Sequence, residues 1–161
     1  MIRIKNLVQI LILSWITSLL TLATLLWPMQ TAVAESEPSA VVYRDPSCHC
    51  CGRWIEHLAA AGFQPQSIET DDLESLKQQY GVPDQLSSCH TAIIDGYVIE
   101  GHVPIADIQR LLAQRPNLVG ITVPGMPIGT PGMESGDQRD SFTVFSFDQQ
   151  GNQAVFNQYS F

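Results

Sequence analysis

Apolar and polar positions switch between two periods along this chain, and the switches predict its elements. Ala40-Val41-Val42-Tyr43 is a short apolar run that reads as a buried strand, broken by Asp45-Pro46-Ser47. From about Cys50 to Ala61 the apolar positions Trp54, Leu58 and Ala61 form one helical face, and Gly62 stops the helix. A second strand is expected around Ser67-Ile68-Glu69. Asp71-Asp72-Leu73-Glu74 resembles a capping box, which predicts a second helix to Tyr80 ending at Gly81. Thr91-Ala92-Ile93-Ile94 and Tyr97-Val98-Ile99-Glu100 flank Asp95-Gly96, the signal of a hairpin with a type I′ turn. Pro104 opens a third helix with Ile105, Ile108, Leu111 and Leu112 at helical spacing, and Arg115-Pro116 ends it. Asn117 to Asp140 reads as a Gly/Pro-rich loop, and a loop of that length usually carries function or is disordered. Ser141 to Phe147 and Gln153 to Phe156 read as a closing strand pair around Gly151.

The predicted order is strand, helix, strand, helix, hairpin, helix. A parallel βαβ unit followed by an antiparallel hairpin predicts an α/β fold: a thioredoxin-like mixed sheet flanked by helices, with a Gly/Pro-rich loop and a C-terminal strand pair. The N-terminus stands apart from that pattern. Arg3 and Lys5 precede an apolar run from about Ile10 to Trp27, and Ala32-Val33-Ala34 is a small-x-small cleavage signal before Glu35. Residues 1–34 are therefore expected to be a signal peptide, 35–40 a short leader, and 41–161 a thioredoxin-like metal-binding domain. An uncleaved anchor is the alternative, since the run approaches the ~17–25 residues that span a bilayer. Either reading makes the protein periplasmic or otherwise exported, and only the N-terminal segment would touch a membrane.

Charge narrows the partners. The chain carries 8 basic and 16 acidic residues, a formal net charge of −8, and all the acidic ones lie after Ala34. That disfavours nucleic acid and anionic membrane surfaces. Export also implies an oxidising compartment in which disulfides persist, and the 4 cysteines are an even number. Their spacing argues against a scaffold. Cys50 and Cys51 are vicinal, and a Cys48–Cys51 bridge closes so short a loop that it stabilises little through chain entropy.

Cys48-His49-Cys50-Cys51 falls where the first strand hands over to the first helix, and helix N-termini favour thiolate. Cys48-x-x-Cys51 has the spacing of a redox pair. Cys89-His90 leads the third strand, which approaches this turn in a thioredoxin fold, and His90 stands where thioredoxin-like oxidoreductases carry a cis-proline. Three thiols in four residues suit the bridging of several ions, with Cys89 and His90 closing the cluster. Soft thiolates select Cu(I), with zinc and iron–sulfur as competitors. A second clean C-x₂-C pair for zinc and a plant-type iron–sulfur spacing are both missing from the sequence. His49 is a ligand or an exposed loop residue. His57 is expected at the surface or satisfied, and Trp54 in the core. His102 follows the hairpin, and strand counting puts it at the end of the sheet away from the cysteines. It stays a candidate ligand, as do Met126 and Met133, although methionine more often fills gaps.

The segments Ser47 to Trp54, Ser88 to Ala92, Asp95 to Pro104 and Val123 to Gly129 together resemble the CopG-type copper-resistance proteins. The resemblance implies an exported thioredoxin-like protein with a copper cluster at Cys48, Cys50, Cys51, Cys89 and His90, with His102, Met126 and Met133 as further positions. It implies copper ions as partners, with other copper-handling proteins beside them, and a proposed role in copper redox interconversion. The expected function is Cu(I) binding in copper resistance or homeostasis. The alternatives are a thiol–disulfide oxidoreductase using Cys48 and Cys51, and a structural disulfide or zinc module.

Overall fold

The computed structural model describes residues 39–161. The signal-peptide reading and most of the leader lie outside those residues. Strand β1 (Ser39–Arg44) starts two positions before the expected domain start at residue 41. It is followed by α1 (His49–Ala60), β2 (Gln64–Glu69), α2 (Leu73–Gln79), a short 3₁₀ turn (Asp84–Leu86), β3 (His90–Ile94) and β4 (Tyr97–Glu100). Then come α3 (Ile105–Gln114), β5 (Gly120–Thr122), β6 (Phe142–Phe147) and β7 (Gln153–Tyr159).

All 7 strands join one mixed sheet in the order β2-β1-β3-β4-β5-β6-β7. Strand β2 runs parallel to β1, and β3 runs antiparallel to both β1 and β4, the parallel unit plus hairpin expected from the sequence. Asp95 and Gly96 turn the hairpin with φ of 50° and 84°, as a type I′ turn requires. Gly62 and Gly81 follow the first two helices with φ of 89° and 71°. The cap of α2 is Asp72, whose carboxylate accepts from the Ser75 N–H at 3.3 Å, one residue later than a box starting at Asp71.

Alternate residues of a strand face opposite sides of a sheet, and this divides the core in two. On one side Trp54 and Leu58 of α1 and Ile108 and Leu111 of α3 pack against Val42, Ala92, Ile94 and Ile99. On the other, Val82 and Leu86, beyond α2, pack against Val98 and Phe147, with Ile93 alongside. Each fully buried Leu, Ile or Phe in these layers stabilises the fold by roughly 1.5–3 kcal/mol.

One sequence expectation fails here. Gly120-Ile121-Thr122 lies inside the stretch read as loop, yet it is an interior strand, parallel to β4 and antiparallel to β6. A Cβ at Gly120 would run into the Val98 carbonyl, so glycine is what lets β5 seat against β4. The closing strand pair is therefore a continuation of the main sheet. Its last strand bulges: Val144 faces Asn157 while Phe145 faces Val155, leaving Phe156 as the extra residue.

Candidate metal centre

The turn from β1 into α1 is built before any cysteine is placed. The Asp45 carboxylate accepts the Ser47 N–H at 2.7 Å, and the Asp45 carbonyl accepts the Cys48 N–H at 3.1 Å. Cys48 then caps α1, its sulfur accepting the Cys51 N–H at 3.3 Å, a position more often held by Ser, Thr, Asp or Asn. Cys48 and Cys51 are joined by a disulfide, with Cα atoms 5.4 Å apart. Cys50 and Cys89 are free thiols. The Cys50 sulfur lies 3.5 Å from that of Cys48, and the Cys51 sulfur lies 3.6 Å from the Cys89 carbonyl oxygen.

Two ligand groups result, and they share Cys89. The sulfurs of Cys48, Cys50, Cys51 and Cys89 lie within 4.8 Å of one another, as do ligand atoms of Cys89, His90 and His102. His102 is thus a member of the cluster, and the placement from strand counting is corrected. Strand β4 runs antiparallel to β3, so its end returns to the start of β3, and the residue two beyond β4 lands beside Cys89. The Cys89 sulfur is 3.0 Å from His102 Nε2 and 3.3 Å from His90 Nδ1.

The histidines are held differently. His102 Nδ1–H donates to the Pro131 carbonyl at 2.8 Å, which fixes the tautomer and leaves the Nε2 lone pair facing Cys89. His90 is completely buried, with its ring 4.4 Å from that of Trp54 and 5.0 Å from that of His102. Its Nε2 has no hydrogen-bond partner. Buried polar atoms are nearly always paired, so an orphaned Nε2 on a ring whose Nδ1 already touches a free thiol marks a place for a ligand. Burial, then the neighbouring His102 ring and the Lys77 ammonium, hold His90 well below the ordinary 6.5, and burial also lowers His102. Both rings are neutral at physiological pH, as metal coordination needs. Burial, with the Cys50 sulfur adding to it, pushes the Cys89 thiol up to about 12. A metal binding there must displace its proton.

The remaining positions separate. His49 is exposed. His57 is at the surface, where Nε2 meets the Glu134 carboxylate at 2.8 Å. Trp54 is core, and its Nε1–H donates to the Val103 carbonyl at 3.0 Å, making it both a packing residue and a wall for His90. Met126 is 52% exposed. Met133 is half-buried, with its N–H donating to the Thr130 carbonyl and its carbonyl accepting from Gly129. The segment that carries them reaches the centre through its backbone. Gly132, at φ +84°, lies so close that a Cβ would stand 2.7 Å from the Cys50 carbonyl oxygen and 2.8 Å from the Trp54 nitrogen. Arg53 Nε–H donates to the Gly132 carbonyl at 2.9 Å, and Glu134 accepts the Gly132 N–H at 2.9 Å. The sequence marks this segment as a long Gly/Pro-rich loop bearing Met126 and Met133, but not the backbone contact of Gly132 with α1.

Fold and cluster define an α/β protein whose free thiols and neutral imidazoles converge at one end of a mixed sheet. Comparison with known proteins narrows that class. A family model described as a protein of unknown function, DUF411, matches residues 86–133. A solved structure named copper resistance protein copG, form 2, is 44% identical and superposes with a TM-score of 0.74 over 77% of this chain and 99% of that one. Form 1 is 46% identical, with a TM-score of 0.73 over 76% and 98% of the respective chains. No curated protein sequence matches. The chain belongs to the CopG family.

Proposed function

We propose that the protein binds copper as Cu(I) between the sulfurs of Cys48, Cys50, Cys51 and Cys89 and the imidazoles of His90 and His102, and that it serves copper resistance after export. The observation that carries this reading is the sharing of Cys89 by a four-sulfur group and a Cys/His/His group, all of whose ligand atoms are close. A thiolate common to two groups suits a bridge between soft ions, and thiolates select Cu(I) over harder cations. The copper-resistance names of the similar structures support the choice of metal. Met126 and Met133, on the segment strapped over the centre, are further soft donors. Copper here is cargo or substrate.

The Cys48–Cys51 disulfide adds a redox element to this reading. Reduced to the dithiol, the pair can give one electron to each of two Cu(II) ions. Two protons leave, the disulfide re-forms and two Cu(I) ions remain. Anaerobic titration of the fully reduced protein with Cu(I) against a competing chelator tests the binding. We expect several ions held tightly; fewer than one per chain overturns the reading.

The same disulfide favours a second reading, a thiol–disulfide oxidoreductase, because it sits at a helix N-terminus in Cys-x-x-Cys spacing. That reading requires metal-free disulfide reductase activity that Cys51→Ser abolishes and that Cys50→Ser and Cys89→Ser retain.

A further inference from the structure

Three charged residues are buried among the described residues: Lys77, Glu100 and Asp107. Lys77 is the inward-facing residue of α2, and Glu100 ends β4. Their side chains form an ion pair, 7% and 0% exposed. Taking two charges out of water is costly, and a buried pair is weak evidence for a stabilising purpose. The other partners of this pair point to a different purpose. Glu100 Oε1 accepts the Ser88 N–H at 2.6 Å, and Glu100 Oε2 accepts the Thr91 hydroxyl at 2.6 Å. Lys77 Nζ also donates to the Thr91 hydroxyl oxygen at 3.2 Å. Ser88 and Thr91 are the residues on either side of Cys89-His90.

We propose that Glu100, locked by Lys77, is a positioning residue for the metal centre, gripping both ends of Ser88-Cys89-His90-Thr91 so that the Cys89 sulfur and the His90 ring face Cys50 and His102. One carboxylate reaches both ends because Thr91 and Glu100 are directly opposed in the β3–β4 register. The backbone of the gripped segment is fastened again nearby, where the Gly101 N–H donates to the His90 carbonyl at 2.9 Å. Neither Lys77 nor Glu100 is a ligand. They act through Cys89 and His90, as hydrogen-bonding partners behind metal ligands do.

The inference rests on the copper reading, and its test separates the two. In K77M/E100Q the charges go, but the amide oxygen still accepts from Ser88. In K77M/E100L the clamp goes and the space is filled by apolar groups. Cu(I) affinity measured anaerobically against a chelator is expected to stay within about threefold in the first variant and to fall by ~10–100-fold in the second. Thermal melts report whether each variant is folded. Thr91→Val, which loses one bond at little change in volume, supplies a milder step of about threefold should the double variants fail to fold. Unchanged affinity in K77M/E100L and T91V overturns the proposal, and so does an equal loss in both double variants, which would assign the effect to charge. Should the wild type bind no Cu(I), the copper reading fails while the clamp is still read in the metal-free reduced protein. Cys89 alkylation by iodoacetamide is then expected several-fold faster in K77M/E100L with shifted His90 imidazole ¹⁵N resonances, and no change in either sinks the clamp.

Discussion

Asp107 and His90 are buried to nearly the same degree, at 2% and 0% exposure, but their surroundings are opposite in kind. The Asp107 carboxylate accepts from Arg110 at 2.8 Å, Asn157 at 2.9 Å and Tyr159 at 2.8 Å. The Arg110 guanidinium, whose Nε lacks a partner, lies 4.2 Å from the centre of the Phe156 ring and donates from Nη2 to the Phe156 carbonyl. This cluster fastens α3 to the outermost strand, and both carboxylate oxygens are engaged by partners within it. At the metal centre the contacts run among the candidate ligand atoms themselves, Cys89 Sγ to His102 Nε2 and to His90 Nδ1, while His90 Nε2 has no partner and Cys50 and Cys89 are free thiols. The contrast teaches that burial alone does not mark a functional site. What marks it is the coordination capacity that the fold leaves unspent.

The largest effects should cross over. Cys89→Ser is expected to lower Cu(I) affinity by at least ~100-fold, beyond the 10–100-fold typical of residues that only support a ligand. Its thermal melting should barely move. Asp107→Ala is expected to cost about 3 kcal/mol in denaturant unfolding, because Tyr159, Asn157 and Arg110 lose a shared acceptor. Its copper binding, when folded, should be unchanged. Parallel losses in both measurements for either variant would erase the distinction.

His102→Ala should come next, at ~10–100-fold in Cu(I) affinity, with the four-sulfur group still loading in the same chelator titration. A smaller effect concerns acid. His90 and His102 titrate below 6.5 in the folded protein, so the unfolded chain takes up their protons first. Their contribution to stability is complete above 6.5 and is lost as pH falls from 6.5 toward their lowered values. Denaturant melts of the metal-free protein should show that decline, and it should flatten in the His90→Gln/His102→Gln variant. Smallest is Tyr159→Phe, at about 1 kcal/mol for one lost hydrogen bond. The Tyr159 hydroxyl is held up at about 12, by burial first and then by Asp107. Stability should therefore fall as pH rises from the ordinary 10.0 through that value in the wild type, and the variant should lack this slope.

The two clusters were unequally legible in the sequence. Cys48 to Cys51 and Cys89-His90 announced themselves by residue type and spacing, and the turn residues Asp95-Gly96, Gly62 and Gly81 announced the elements that carry them. His102 was readable as a candidate but misplaced, because its position follows from which end of β4 meets β3, a property of the hairpin rather than of its neighbours in sequence. Strand β5 was hidden because three residues with one large apolar side chain carry no period. It is a strand because β4 and β6 leave a slot that Gly120 fits. Asp107 and Lys77 were invisible, since each sits on a short helix where one charged residue looks like any other. Only the tertiary fold turns them inward.

The separation of the cluster residues along the chain has a consequence for the order in which they come together. Cys48 and Cys51 are only 3 residues apart and can meet in a chain that has formed little else. Cys89, His102 and the Pro131 carbonyl reach them only once β3 has paired with β1, the hairpin has closed and the strap has wrapped α1. Closure of the Cys-x-x-Cys loop thus needs only local chain, whereas completion of the centre needs the non-local pairings. A newly made chain that meets an oxidant first would arrive folded with that loop sealed. A reductant, acting after folding, would then decide when all four sulfurs open to metal.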